Sequence, residues 1–124
     1  MRVLIVDDDS QNIELLKAAL MPIGIKEILA AHNGADAIEL AQSQQPDIIL
    51  MDLLLRAPIP FGWDAIQALK DDPTTQHIPV IAVTAGGPQA IQRAMKAGCD
   101  AYLERPFQLP KLRQTVQQFL STAN

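Results

Sequence analysis

Apolar residues in this chain follow two alternating patterns. Unbroken runs occupy Val3 to Val6, in a strand read from Arg2 to Val6, and Ile48 to Met51 and Pro79 to Val83. Runs this short and continuous predict strands buried on both faces, as in a parallel sheet. Weaker runs at Lys26 to Ala30 and at Ala101 to Leu103 predict two further strands. Between the runs, apolar residues recur every three or four positions, the spacing of a helix with one buried stripe. Ile13, Leu16 and Leu20 mark the first helix, with Lys17 at the stripe's edge and Asp9 or Ser10 as its cap. Ala37, Ile38 and Ala41 mark a second, from the Asn33-Gly34 turn to about Gln44, and Ile66 and Leu69 a third, from about Trp63 to Lys70. Ile91, Ala94 and Met95 mark a fourth, opened by Gly86-Gly87-Pro88 and closed by Gly98. Leu112, Val116, Phe119 and Leu120 mark the last, starting near Pro110.

Five strands alternating with five helices, with no internal repeat, predict an α/β fold: one doubly wound parallel sheet with helices on both faces. At 124 residues the chain is expected to form a single domain, 1–124. Every strand of such a sheet ends at the same edge, where open α/β sheets place their ligand sites. Asp7, Asp8, Asp52, Thr84 and Arg105 all follow strand ends, so they converge although they are scattered in sequence.

Composition narrows the function. Apolar residues make up 48% of the chain, enough for a core, and the net charge of −4 with no basic cluster argues against a direct nucleic-acid surface. The apolar run at the N-terminus is too short for a signal peptide, and none approaches the ~20 residues of a membrane span. The lone Cys99 suits a small buried residue in a reducing compartment. Together these features predict a soluble cytoplasmic protein without a membrane partner.

The converging residues suggest phosphoryl chemistry. Asp52 ends a run of apolar residues, where an isolated carboxylate costs several kcal/mol unless it is paired or binds a metal. Three neighbouring carboxylates repel, and a hard divalent cation such as Mg²⁺ relieves that strain. Asp52 is then the candidate nucleophile, since an aspartate can take a phosphoryl group covalently. Thr84 offers a hydroxyl to a phosphoryl oxygen, or else only closes a strand end. Arg105 offers a forked cation, or else a surface ion pair.

Several of these segments resemble the receiver domain of two-component response regulators. They are Val6-Asp7-Asp8, Asn33 to Ala37, Gln45 to Asp52, Ile78 to Ala85 and Ala97 to Phe107, and together they span essentially the whole chain. The resemblance implies a flavodoxin-like sheet of order 2-1-3-4-5. It implies that Asp52 accepts phosphate from a histidine kinase or phosphotransfer protein, a signalling phosphoacceptor role with only slow self-catalysed turnover. It implies Mg²⁺ held by Asp7, Asp8, Asp52 and the backbone carbonyl of Leu54, and Thr84 and Tyr102 as a switch pair. It further implies a cis Arg105-Pro106 bond and a downstream protein partner at the face of helix four, strand five and helix five.

Two features depart from the family pattern. Arg105 stands where a lysine is usual, and a planar, bidentate guanidinium does not replace an ammonium atom for atom. The loop after Asp52 has Arg56 near a usual proline, reaches Gly62 late, and so is about two residues longer than usual. Its Leu53, Leu54, Leu55, Ile59, Phe61 and Trp63 either fold onto the core, the favoured reading, or form a docking patch beside Asp52.

Three alternatives compete. A degenerate receiver would bind partners without a phosphate cycle. A phosphohydrolase of the haloacid dehalogenase type would use Asp7 as nucleophile and Asp9 as acid/base, but leaves Thr84 to Phe107 unexplained. A flavodoxin-type electron carrier would need amides and hydroxyls where strand one is followed by aspartates. His32 and His77 fall in predicted turns without ligand-like spacing and are assigned no role.

Overall fold

Side chains alternate across each strand, and this alternation sorts the helices onto the two faces of the sheet. A computed structural model describes residues 1–122. Its strands are β1 (Arg2–Val6), β2 (Glu27–Ala31), β3 (Ile48–Asp52), β4 (Val80–Thr84) and β5 (Ala101–Glu104). Its helices are α1 (Ser10–Leu20), α2 (Gly34–Gln44), α3 (Gly62–Asp71), α4 (Gly87–Ala97) and α5 (Leu109–Thr122). The strands lie in the order β2-β1-β3-β4-β5 and every pairing is parallel, so the flavodoxin-like fold follows as expected.

Val3, Ile5, Ile48, Leu50, Ile81 and Val83 face α1 and α5 through Ile13, Leu16, Leu20, Leu112 and Val116. Leu4, Val6, Ile49, Met51, Val80 and Ala82 face the other way, against Ala37, Ala41, Ile66, Leu69 and Ala94 of α2, α3 and α4. Burying one such large side chain contributes about 1.5–3 kcal/mol, so covering both faces requires runs without polar interruption.

Helix starts and stops follow local chemistry. The Asp9 side chain accepts the Gln11 amide at 2.8 Å and caps α1, and Asn33 accepts the Asp36 amide at 2.8 Å and caps α2. Gly98 takes a left-handed φ of 104° and ends α4.

Three expectations shift. β2 runs one residue later than predicted, because its ladder with β1 starts at the Arg2–Glu27 pair. Met95 does not face inward but is 49% exposed: the buried stripe of α4 is Ile91, Ala94 and Ala97, and Met95 is turned off it toward Cys99. Phe119 is only partly buried beside the α1/α5 core.

The long loop after β3 mostly folds onto the core. Leu53 is fully buried, and Leu55, Ile59 and Trp63 pack against the core, while Leu54 and Phe61 stay exposed. The carbonyls of Ile59 and Pro58 accept the amides of Gly34 and Ala35 at 3.0 and 3.4 Å, so the loop closes the first turn of α2. Ile59 adopts φ 57°, a strained conformation for a β-branched residue.

Candidate functional site

The parallel ladders carry the predicted residues to one edge. The Asp7 amide donates to Ala31 O at 3.0 Å and extends β1 by one residue, which fixes where the Asp7 side chain leaves the sheet. Asp52 is the last residue of β3, pairs with Val83, and so has Thr84 just beyond it on the neighbouring strand. The Arg105 amide donates to Thr84 O at 2.7 Å and continues β5 beside β4.

The carboxylates of Asp7, Asp8 and Asp52 present oxygens within 4.8 Å of one another. Asp7 is 1% exposed; its Oδ1 accepts the Asp9 amide at 2.9 Å and its Oδ2 accepts an Arg105 Nη2–H at 3.0 Å. Burial still pushes the Asp7 carboxyl above its ordinary value, although the Asp9 amide and the Arg105 charge oppose it. Burial, and then the charge of Asp7, push Asp52 up to about 6. This pocket holds more negative charge than its own cations offset.

The donor set fits a hard cation. All candidate ligands are oxygens, and the Leu54 carbonyl accepts no hydrogen bond among the described residues. The Leu54 amide faces Asp52 Oδ1 at 3.4 Å, so the chain turns tightly around that carboxylate. Gly62 makes the turn possible: its amide donates to Leu53 O at 2.9 Å, and a Cβ there would collide with the Asp52 carbonyl and approach Leu53 Cα at 2.8 Å.

Thr84 is buried, and its Oγ1 accepts the Gly86 amide at 2.8 Å, which ties the hydroxyl to the start of α4. Tyr102 is not drawn into the cluster; it sits on edge strand β5, 45% exposed. The Arg105-Pro106 bond is cis, as the resemblance implied. Arg105 Nε is buried without a hydrogen-bond partner, so the guanidinium is only partly used in its pair with Asp7.

Asp9, the acid/base of the phosphohydrolase alternative, is exposed and spends its carboxylate capping α1, one of the two caps the sequence offered. One placement was not foreseen. His32, given no role from sequence, lies half-buried with Nδ1 3.1 Å from the Asp7 carbonyl, and its own carbonyl accepts the Arg56 amide at 3.4 Å. It links the acidic edge to the long loop. Only its position directly after β2 hinted at this.

Comparison with known proteins agrees with this geometry. The family model described as the response regulator receiver domain matches residues 3–117. The polar-differentiation response regulator DivK of Brucella anthropi is 37% identical over 122 residues, covering 98% of this chain and 97% of that protein. A two-component response regulator from Clostridium difficile has a similar structure, with a TM-score of 0.88 and 30% identity over 100% of this chain and 98% of that one. The receiver domain of a sensor histidine kinase from Pseudomonas aeruginosa, solved with a magnesium ion in its active-site cleft, gives a TM-score of 0.87 at 28% identity, over 97% of each chain.

Proposed function

Since this chain belongs to the response regulator receiver domain family, we propose that Asp52 is its phosphoacceptor, taking a phosphoryl group from a phosphohistidine on a histidine kinase or phosphotransfer protein. The single observation that carries this reading is the meeting of Asp7, Asp8 and Asp52 within 4.8 Å at the carboxyl edge of the sheet. The protein is a signalling component of a two-component system, in which we place residues 1–124 as one cytoplasmic receiver domain that turns over its own phosphoryl group only slowly.

The residues divide the work. An Asp52 carboxylate oxygen attacks phosphorus while the donor's nitrogen departs. Asp7, Asp8, Asp52 and the Leu54 carbonyl would hold Mg²⁺, which when bound supplies positive charge to the transferring oxygens. Thr84 has its oxygen occupied by the Gly86 amide but its proton free, so it can donate to a phosphoryl oxygen. Moving toward that oxygen would draw the α4 entrance with it. Tyr102, half outside, would be the ring that turns inward as Thr84 moves, and the exposed Met95 and Tyr102 leave the α4–β5–α5 face open to a downstream protein. Arg105 has an unused Nε–H to turn toward a phosphoryl oxygen, which fits a role in transfer.

The experiment follows Trp63 fluorescence as Mg²⁺ and then acetyl phosphate are added, with mass spectrometry of the product. The expected result is a two-step change and one phosphoryl group on Asp52, with the second step absent in Asp52→Asn. A chain that binds Mg²⁺ but is never labelled would instead be a phosphorylation-independent binding module.

A further inference from the structure

A second cavity of about 330 Å³ adjoins the acidic edge, between the long loop and α4. Leu54, Phe61 and Trp63 form one wall, and Gly86, Ala90 and Arg93 the other. Both walls are tied to the reacting residues: the Leu54 amide faces Asp52 Oδ1, and the Gly86 amide is bonded to Thr84 Oγ1. The rings of Phe61 and Trp63 stack at 4.8 Å and 8°, and the Arg93 guanidinium lies 5.1 Å from the Trp63 ring centroid. Among the described residues Arg93 makes no ion pair, although the chain is acidic overall. A stacked aromatic pair with an unpaired cation over it, walled by residues whose amides bond Asp52 and Thr84, suits a planar organic anion.

We infer that this groove receives the non-transferred part of a small acyl phosphate and favours an aryl over a methyl acyl group. The inference rests on the phosphoacceptor reading of Asp52. In the transfer, an Asp52 carboxylate oxygen bonds to phosphorus as the bond between phosphorus and the acyl oxygen breaks. The electron pair stays on that oxygen, the leaving group departs as a carboxylate anion, and no proton moves. An aryl ring can meet the Phe61–Trp63 stack and the Arg93 guanidinium held over Trp63, whereas a methyl group reaches neither.

The test compares Asp52 labelling by benzoyl phosphate and by acetyl phosphate, at equal low concentrations with Mg²⁺, in the wild type, Phe61→Leu and Arg93→Ala. Phe61→Leu keeps an apolar side chain and Arg93 is exposed, so both variants fold. The ratio of the two rates is expected to fall about threefold to tenfold in each variant, the range that one ring contact supports. An unchanged ratio in either variant, with Asp52 labelled by both donors, overturns the groove assignment and leaves the phosphoacceptor role standing. Failure of both donors to label Asp52 overturns that role, and this subsite with it.

Discussion

Half-buried at the end of β3 and facing Asp7, the Asp52 carboxyl holds its proton up to about pH 6, against 3.8 for the ordinary side chain. Between those values the native state binds more protons than the unfolded chain, so stability falls as pH rises through this window. The full penalty stands above about 6 and vanishes below 3.8. In EDTA at pH 7, Asp52→Asn is therefore expected to be more stable than wild type by about 1–2 kcal/mol once solvent screening is allowed for, with the gap closing near pH 4. Urea midpoints measured across pH check this. Arg105 acts in the opposite sense, because it neutralises a carboxylate that is almost fully enclosed. Arg105→Ala should cost about 2 kcal/mol in EDTA, since a buried charge left alone is costlier than the pair, and Mg²⁺ should restore more stability to this variant than to wild type. Arg105→Lys should retain labelling at Asp52 but alter its rate or lifetime; identical kinetics would show that the guanidinium's second donor is idle.

At the scale of elements, the loop between β3 and α3 is a structural part rather than a free connection. Gly34→Ala would set a methyl carbon 2.6 Å from Ile59 Cγ2 and from the Ile59 carbonyl oxygen, so a loss of about 1–3 kcal/mol is expected in urea unfolding. Leu53→Ala should cost about 2–5 kcal/mol, as for other fully buried leucines. Phe61→Ala, at an exposed position, should cost less than about 1 kcal/mol. The strands were legible because double-sided burial leaves unbroken apolar runs, and the acidic edge followed because parallel strands all end together. What the loop packs against was not legible, because contacts between residues 58–59 and 34–35 leave no local periodicity. Met95 misled for a related reason. Its spacing from Ile91 fits a helical stripe, but α4 meets the sheet through the small residues Ala94 and Ala97, and the larger side chain was turned aside.

For the molecule as a whole, the negative edge should make stability depend on divalent cation. Mg²⁺ at about 100 times its dissociation constant should raise the free energy of unfolding by about 2.7 kcal/mol, an effect that Asp52→Asn should largely remove. Calorimetry with and without EDTA reads this directly. The same segment that wraps Asp52 also holds the first amides of α2, through the carbonyls of Pro58 and Ile59. Deuterium uptake at Gly34 and Ala35 should therefore report on events at Asp52: whatever steadies the acidic edge should slow exchange there, and whatever loosens it should let that end of the helix fray.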